Sequence, residues 1–262
     1  MSASSQQFHL QLVANRPRVH FILQGKGGVG KSLVSSLVAQ YLRSTDTTVR
    51  CIDTDPVNDT LTQYDALQAE HLNLMREGRV DEGAFDDLME RLLSEQCSFV
   101  VDSGATSFVA LTNYLEENRA FEILRELGRE VLVHSIITGG QASRDTIVGF
   151  KVIAERSEPA SVVVWLNEFF GPIETESEVA GKSVRKGFRE MKVYEDHKAA
   201  VLGIVTLARR NPDTFGRDIQ QMSAQKLTFN EVRDSARWSL MSKCRIAAIE
   251  RDLYSQLQAV LA

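Results

Sequence analysis

Short runs of apolar and β-branched residues recur along the chain, each about as long as one β-strand. They span residues 19–23, 49–52, 99–101, 131–137, 162–166 and 201–207. Most runs lack alternation between apolar and polar residues, which indicates strands that are covered on both faces. The pattern therefore predicts a mostly parallel sheet with helices on both sides.

Amphipathic helical patterns lie between these runs. Their apolar stripes consist of Leu33, Val34, Leu37, Val38, Tyr41 and Leu42; of Phe121, Leu124 and Leu127; and of Ile246, Ile249, Leu253, Leu257 and Val260. Strands that alternate with helices predict a three-layer α/β fold, with residues 18–262 as a single domain. The Ser/Gln-rich residues 1–17 are predicted to be a mobile N-terminal arm. In such folds, ligands bind at the carboxyl ends of the strands.

Composition narrows the classes of function. The formal net charge of −5 argues against a surface that coats nucleic acid indiscriminately. The three cysteines are far apart in sequence, so they indicate neither a metal site nor a disulfide framework. Because no apolar run approaches the roughly 20 residues that span a bilayer, we expect a cytoplasmic protein without stable membrane insertion.

A phosphate-binding loop is the strongest motif in the sequence. Gly25-x-x-x-x-Gly30-Lys31-Ser32 follows the first predicted strand and precedes the first predicted helix. Glycines let backbone N–H groups turn toward phosphate, Lys31 would neutralise the β- and γ-phosphates, and the Ser32 hydroxyl would ligate Mg²⁺. The motif predicts a P-loop NTPase fold that binds ATP through residues Gly25, Gly27, Gly28, Val29, Gly30, Lys31 and Ser32.

A strand that ends in a carboxylate supplies a second part of the predicted site. Asp102 ends the apolar run 99–101 and is followed by Ser103 and Gly104, which is the pattern of a Walker B element. Such an aspartate meets Mg²⁺ through water. A strand-ending Asp also opens ordinary turns, so the order of the motifs carries this assignment.

Lys26 places a second lysine early in the loop, giving Lys-Gly-Gly-x-Gly-Lys-Ser. This form resembles the deviant Walker A motif of the ParA/MinD superfamily. The resemblance implies that Lys26 reaches across the interface of an ATP-bound homodimer to the nucleotide of the partner subunit. The alternative is an ordinary solvated loop lysine.

The same resemblance assigns roles to three further residues. The segment Asp53-Thr54-Asp55-Pro56 is similar to the family's switch I. By that resemblance Asp55 orients the attacking water, Asp53 belongs to the Mg²⁺ shell, and Asn167, after the run 162–166, reads adenine. Asp and Asn also favour turns at strand ends, which is the alternative for all three.

Several other segments resemble a narrower group, the ParA-like proteins of conjugative plasmid transfer regions. They are residues 24–32, 51–58, 138–142, 163–167, 171–174 and 227–229. This resemblance implies an ATPase that acts as a dimer switch in conjugative DNA transfer, with proteins of the conjugation or type IV secretion machinery as partners. The alternatives are a partition or positioning ATPase whose ATP-bound dimer binds DNA nonspecifically, and a small-molecule enzyme, which no further acid–base cluster supports.

Two surfaces are candidates for partner binding. The spacing of Lys182, Arg185, Lys186 and Arg189 predicts four positive charges on one side of a helix, which would suit DNA or an ordinary solvated face. The C-terminal stripe predicts packing on the sheet or on a second subunit. Its polar side mixes Arg251 with Glu250 and Asp252, which disfavours a membrane-seeking helix.

Overall fold

A parallel sheet runs through the centre of the protein. The computed structural model describes residues 16–45, 47–77, 79–179 and 182–262. The strands are β1 (Arg18–Leu23), β2 (Val49–Thr54), β3 (Glu70–His71), β4 (Met75–Arg76), β5 (Arg79–Val80), β6 (Ser98–Ser103), β7 (Glu130–Thr138), β8 (Ser161–Asn167), β9 (Glu174–Val179), β10 (Lys182–Gly187) and β11 (Val201–Leu207). Among the described residues, seven strands form the sheet in the order β11-β8-β7-β1-β6-β2-β3, and all its pairings are parallel. The six predicted strands are confirmed.

Helices cover both faces of this sheet. They are α1 (Lys31–Ser44), α2 (Ala84–Ser94), α3 (Phe108–Glu117), α4 (Ala120–Glu126), α5 (Ser143–Arg156), α6 (Lys192–His197), α7 (Arg217–Ala224), α8 (Phe229–Asp234) and α9 (Leu240–Leu261). Helices α2 to α6 pack on one face, and α1 with α7 to α9 packs on the other. The predicted three-layer architecture is confirmed.

The unbroken apolar runs reflect burial on both faces. Successive side chains of a strand point to opposite sides, so Phe21 packs in one helical layer while Ile22 packs in the other. Both side chains are fully buried. A strand in this position needs apolar residues at every step, which explains why alternation is missing from the sequence.

Strand β1 lies at the point where the chain changes direction across the sheet. The chain first builds β2 and β6 on one side of β1 and then β7, β8 and β11 on the other. Ligands of open α/β sheets bind in the crevice at such a point, outside the carboxyl ends of the strands. The loop after β1 and the residues that end β2, β6 and β8 therefore share one edge of the molecule.

The C-terminal helix α9 belongs to the core of the same chain. Ile246, Leu253 and Leu257 are buried in it, and Val260 packs so closely on Gly203 of β11 that an added Cβ there would lie 2.7 Å from it. The predicted packing on the sheet is confirmed. Apart from the undescribed residues 1–15, 46, 78, 180 and 181, the chain has no helix with the length and apolar character needed to cross a membrane.

The predicted basic helix is wrong. Lys182, Arg185 and Lys186 lie in strand β10, which pairs antiparallel with β9, and Arg189 lies in the short 3₁₀ turn that follows. Consecutive strand residues point to opposite faces, so Arg185 and Lys186 cannot share one basic side. Arg185 instead faces Glu176 of β9, with Nε 3.1 Å from Oε1. Lys182, Arg185, Lys186 and Arg189 therefore do not form the predicted basic face of a helix.

The predicted apolar stripe of helix α4 is shorter than expected. Helix α4 buries Phe121 and Leu124, but Leu127 follows the helix and is 62% exposed. Gly128 adopts φ 81°, the left-handed conformation that commonly ends a helix, so the apolar stripe stops before Leu127.

The predicted N-terminal arm lies outside the described residues except for positions 16 and 17. The Pro17 carbonyl accepts a hydrogen bond from the N–H of Glu130, which begins β7.

Candidate functional site

The loop between β1 and α1 has the backbone shape of an anion cradle. Gly28 and Gly30 adopt φ 73° and 99°, a region that residues with a Cβ rarely enter. Helix α1 begins at Lys31, and no side chain caps its first turn. The N–H groups of that turn and the helix dipole therefore favour a bound anion at this point.

Lys31 lies within the loop. It is 8% exposed, and its ammonium donates to the Lys26 carbonyl over 3.1 Å. Burial lowers the pKa of Lys31, and the carboxylates of Asp102 and Asp55 oppose that effect. The two carboxylates thus favour the charged form of the Lys31 ammonium, which is the form that would bind phosphate oxygens.

Lys26 points away from the same loop. Its side chain is 45% exposed, and Nζ lies 2.8 Å from Oδ2 of Asp145 in the first turn of α5. The hydrogen bond from Lys26 lowers the pKa of Asp145. Sequence reasoning missed Asp145, because no local pattern connects a residue of α5 with the loop after β1.

Asp102 is held at the end of β6 beside the loop. Its side chain is almost fully buried, and the Ser35 hydroxyl donates to Oδ1 over 2.9 Å. Burial raises the pKa of Asp102 to about 7, while hydrogen bonds from Ser32 and Ser35 act in the opposite direction. A cation placed here would favour the ionised carboxylate.

The carboxylates of β2 and the loop after it shape that loop. Asp53 stands opposite Asp102 in the parallel register and is fully buried. Its oxygens accept from the N–H groups of Asp55 and Leu61, over 3.0 and 2.8 Å. Burial raises the pKa of Asp53, and these backbone N–H groups lower it. Both Asp53 oxygens thus have backbone donors in this structure. A place for Asp53 in a metal shell stays a prediction.

Asp55 is half-buried and close to the phosphate loop. Its Oδ1 accepts from the N–H groups of Val57 and Asn58, over 2.9 and 3.1 Å. A Cβ added at Gly104 would lie 2.8 Å from the same oxygen, so the segment after β6 packs directly against Asp55. The structure therefore brings Asp55 and Asp102 to one side of Lys31, and the catalytic role of Asp55 stays a prediction.

The chemistry of this donor set fits Mg²⁺. The Ser32 hydroxyl and the Asp102 carboxylate are hard oxygen donors that lie next to each other. Mg²⁺ typically takes one or two carboxylates from protein and completes its octahedron with phosphate oxygens and waters. Ser32 and Asp102 are therefore the residues that would hold the ion.

Asn167 ends β8 against the phosphate loop. Its Nδ2 donates to the Val29 carbonyl over 3.0 Å, and its Oδ1 accepts from the Phe169 N–H over 3.2 Å. These two backbone partners fix the orientation of the amide, because one can only accept and the other can only donate. Adenine reading by Asn167 stays a prediction.

A cavity of about 860 Å³ opens from the loop beside Asn167. Gly28 and Gly30 line one end, and side chains from α1, α7 and α9 line the other. The exposed rings of Phe169 and Phe170 form part of its wall, with centroids 5.0 Å apart. Sequence reasoning did not identify this cavity, because the segments that line it are far apart in the chain.

Comparisons with known proteins agree with the fold and the motifs. Residues 20–236 match the family described as CobQ/CobB/MinD/ParA nucleotide binding domain. Two Escherichia coli proteins, each called Protein TraL, are 39% identical over 243 residues and 37% identical over 242 residues. The matched regions cover 92% of this chain in both cases, and 98% and 97% of the relatives.

Solved structures with a similar chain fold share little sequence with this protein. A chain of the MinC:MinD cell division protein complex from Aquifex aeolicus is 16% identical, with a TM-score of 0.47, and the match covers 91% of this chain and 96% of that chain. A nucleotide-binding protein in complex with ADP from Archaeoglobus fulgidus is 13% identical, with a TM-score of 0.44 and coverage of 84% and 90%.

Proposed function

Because this chain belongs to the CobQ/CobB/MinD/ParA family of nucleotide-binding domains, we propose that it is an ATPase that dimerises around Mg-ATP. The dimer hydrolyses ATP slowly and serves as a timed switch in conjugative plasmid DNA transfer. ATP binding favours the dimer by mass action if the nucleotide contacts both subunits.

The main observation in support is that the two lysines of the phosphate loop point to different places. Lys31 is buried near the carboxylates of Asp102 and Asp55, whereas Lys26 is half-exposed and pairs with Asp145 outside the loop. Exposed ion pairs contribute little to stability, so releasing Lys26 from Asp145 to meet a nucleotide phosphate would cost little. A lysine that faces away from its own loop is suited to a nucleotide held by a second chain.

Residues of both subunits would take part in ATP hydrolysis. Lys31 and the loop N–H groups would hold the phosphates, and Asp55 would orient the attacking water. The partner subunit's Lys26 would neutralise charge that develops on the transferred phosphoryl group. Ser32 and Asp102 would hold Mg²⁺, which would supply further charge neutralisation.

The role in conjugation is supported by the relatives called Protein TraL, which match this chain over nearly their whole length. It is also supported by the sequence segments shared with ParA-like proteins of conjugative transfer regions. The partners would then be proteins of the conjugation or type IV secretion machinery, and the ATPase would work in the donor cytoplasm. Transfer frequency from donor cells that carry Lys31→Ala should fall, whereas the exposed Lys151→Ala variant should transfer normally.

Light scattering tests the dimer switch. The wild-type protein should have dimer mass with Mg-ATP and monomer mass with Mg-ADP. Asp55→Ala should bind ATP, fail to hydrolyse it and remain dimeric, whereas Lys26→Ala should bind ATP and stay monomeric. Lys151→Ala, which removes another half-exposed lysine, is the matched control. A monomer under all these conditions would contradict the proposal.

Partner identity and DNA binding need separate measurements. Pull-down from conjugating donor cells with the ATP-trapped Asp55→Ala protein should enrich components of the transfer machinery. An ATP-dependent gel shift on random DNA at moderate salt would favour the partition alternative instead.

A further inference from the structure

The residue immediately before the phosphate loop is a buried glutamine. Gln24 has no solvent exposure, and its Nε2 donates to the Ile136 carbonyl over 2.8 Å and to the Thr146 carbonyl over 3.2 Å. Both partners are acceptors, so the amide nitrogen must face them. One side chain therefore ties the end of β1 to strand β7 and helix α5.

The other side of the same amide rests on α5. Among the described residues, Gln24 Oε1 has no hydrogen-bond partner, and a Cβ added at Gly149 would lie 2.0 Å from it. Gly149 thus leaves the space that the carboxamide fills. A buried polar atom without a hydrogen-bond partner lowers the stability of the fold, which indicates that Gln24 has a role other than stabilisation.

The first turn of helix α5 contains Asp145, the residue that holds Lys26. Asp145 pairs with Lys26, and the next residue, Thr146, accepts from Gln24 through its carbonyl. Thr146 Oγ1 also accepts from the Thr138 N–H at the end of β7, over 3.2 Å. The loop and the first turn of α5 are thereby joined at two points, one buried and one exposed.

We infer that Gln24 is a positioning residue that sets α5 against the phosphate loop. Through this contact the loop is held in the shape that receives phosphate, and Asp145 is held where it meets Lys26. The inference rests on the proposed nucleotide binding for its effect on affinity, but its effect on α5 does not depend on any ligand.

Gln24→Met tests the inference, with Gln40→Met as the matched control. Gln40 is also buried and hydrogen-bonded on both sides, since its Nε2 donates to Ser36 Oγ over 2.9 Å and its Oε1 accepts from the Phe229 N–H over 2.7 Å. Within the described part of the chain, it makes no hydrogen bond to α5 or the phosphate loop. Both variants should lose comparable free energy of unfolding. Only Gln24→Met should weaken Mg-ADP binding in calorimetry, by roughly 2- to 30-fold, as expected for a residue that acts through its neighbours.

Hydrogen exchange gives a second measurement that needs no nucleotide. Gln24→Met should speed amide exchange in residues 24–31 and 143–150 without a global increase, and Gln40→Met should leave both segments unchanged. Equal affinity and equal exchange in wild type and Gln24→Met would overturn the inference. If wild type itself failed to bind Mg-ADP, the proposed function would fail, and exchange alone would decide the role of Gln24.

Gly149→Ala provides a test by steric exchange. The added methyl group should expel the Gln24 amide and reproduce the exchange pattern of Gln24→Met. In the Gln24→Ala background, the same methyl group should be tolerated, because the carboxamide that it would meet is gone. If Gly149→Ala changed amide exchange equally in the wild-type and Gln24→Ala backgrounds, the added methyl group would clash with a group other than the Gln24 amide. That result would contradict the inference.

Discussion

A chain of hydrogen bonds fixes the protonation of two buried histidines. Trp165 Nε1–H can only donate, and it lies 2.8 Å from His134 Nδ1; His134 Nε2 lies 2.9 Å from His20 Nδ1. His134 must therefore carry its proton on Nε2 and donate it to His20. Burial lowers the pKa of His134 to about 3, and burial together with His134 and Arg18 lowers that of His20 well below its usual value. Both imidazoles are neutral in the folded protein.

Acid should remove the stability that this neutral pair provides. An unfolded imidazole binds a proton below pH about 6.5, so its contribution to the free energy of unfolding is complete above that pH and falls by up to about 1.4 kcal/mol per pH unit below it. His20→Leu removes one such group. Urea unfolding at pH 7.5, 6.5 and 5.5 measures the effect. As the pH falls, the free energy of unfolding of the variant should rise relative to that of the wild type.

The exposed His71 supplies the control for this pH dependence. His71→Gln should track the wild type at each pH. A stability difference between wild type and His20→Leu that stays constant from pH 7.5 to 5.5 would contradict the assignment of a neutral buried pair.

At the scale of the element, helix α9 shows how one amphipathic pattern allows several interpretations. An apolar stripe could face a sheet, a second subunit or a membrane, because each buries the same side chains. In the structure the stripe faces strand β11 and the neighbouring helices. Gln256 adds a directional contact, since its amide accepts from the N–H of Thr206 and donates to its carbonyl, over 2.7 and 3.1 Å. That amide satisfies backbone groups at the open edge of β11.

Core packing by α9 predicts unequal effects of two substitutions in the same helix. Leu257 is fully buried and Met241 is 62% exposed. Leu257→Ala should lower the free energy of unfolding by about 2–5 kcal/mol, because it removes buried methyl groups and leaves a cavity. Met241→Ala should change it by less than about 0.5 kcal/mol. Denaturant unfolding measures both, and ATP-dependent flotation with liposomes would overturn the packing interpretation.

At the scale of the whole molecule, the proposed site belongs to two chains. Lys31, Asp55 and Asp102 lie together in one chain, while Lys26 is turned toward the surface. A symmetric dimer repeats the same contacts twice, so each subunit would complete the other's site. The charge of Lys26 would then act only on a nucleotide bound by its partner.

Mixed dimers test this division of labour. Lys26→Ala and Asp55→Ala should each abolish hydrolysis alone. In a mixed dimer, one site combines an intact Asp55 with the partner's intact Lys26, and the other site lacks both. Mixing should therefore restore hydrolysis that neither variant shows alone, up to at most about half of the wild-type rate, because only one site of each mixed dimer is complete. A phosphate-release assay measures this recovery. In a mixture of Lys26→Ala with Lys31→Ala, the Lys26→Ala subunit keeps its own Lys31 and Asp55 and receives the partner's intact Lys26. This mixture should therefore also recover hydrolysis. Absence of recovery in both mixtures would contradict a shared site.

Local sequence patterns are enough to predict the strands, the phosphate loop and the carboxylates at the strand ends. These features are local, because a buried parallel strand needs a continuous apolar run, and a loop that receives phosphate needs glycine at Gly28 and Gly30. The rule that strand ends share one edge then brings Asp55 and Asp102 to that loop. Asn167 reaches it from β8 by the same rule.

Contacts between residues that are distant in sequence depend on how the elements pack together. Lys182, Arg185, Lys186 and Arg189 have the spacing of one helix face, but pairing with β9 places the first three in a strand. Asp145 meets Lys26, and Gln24 meets Thr146 from 122 positions away, through packing of α5 that no local pattern encodes. Local propensity cannot specify such contacts, because their energy depends on partners that are brought near only when the whole sheet has formed.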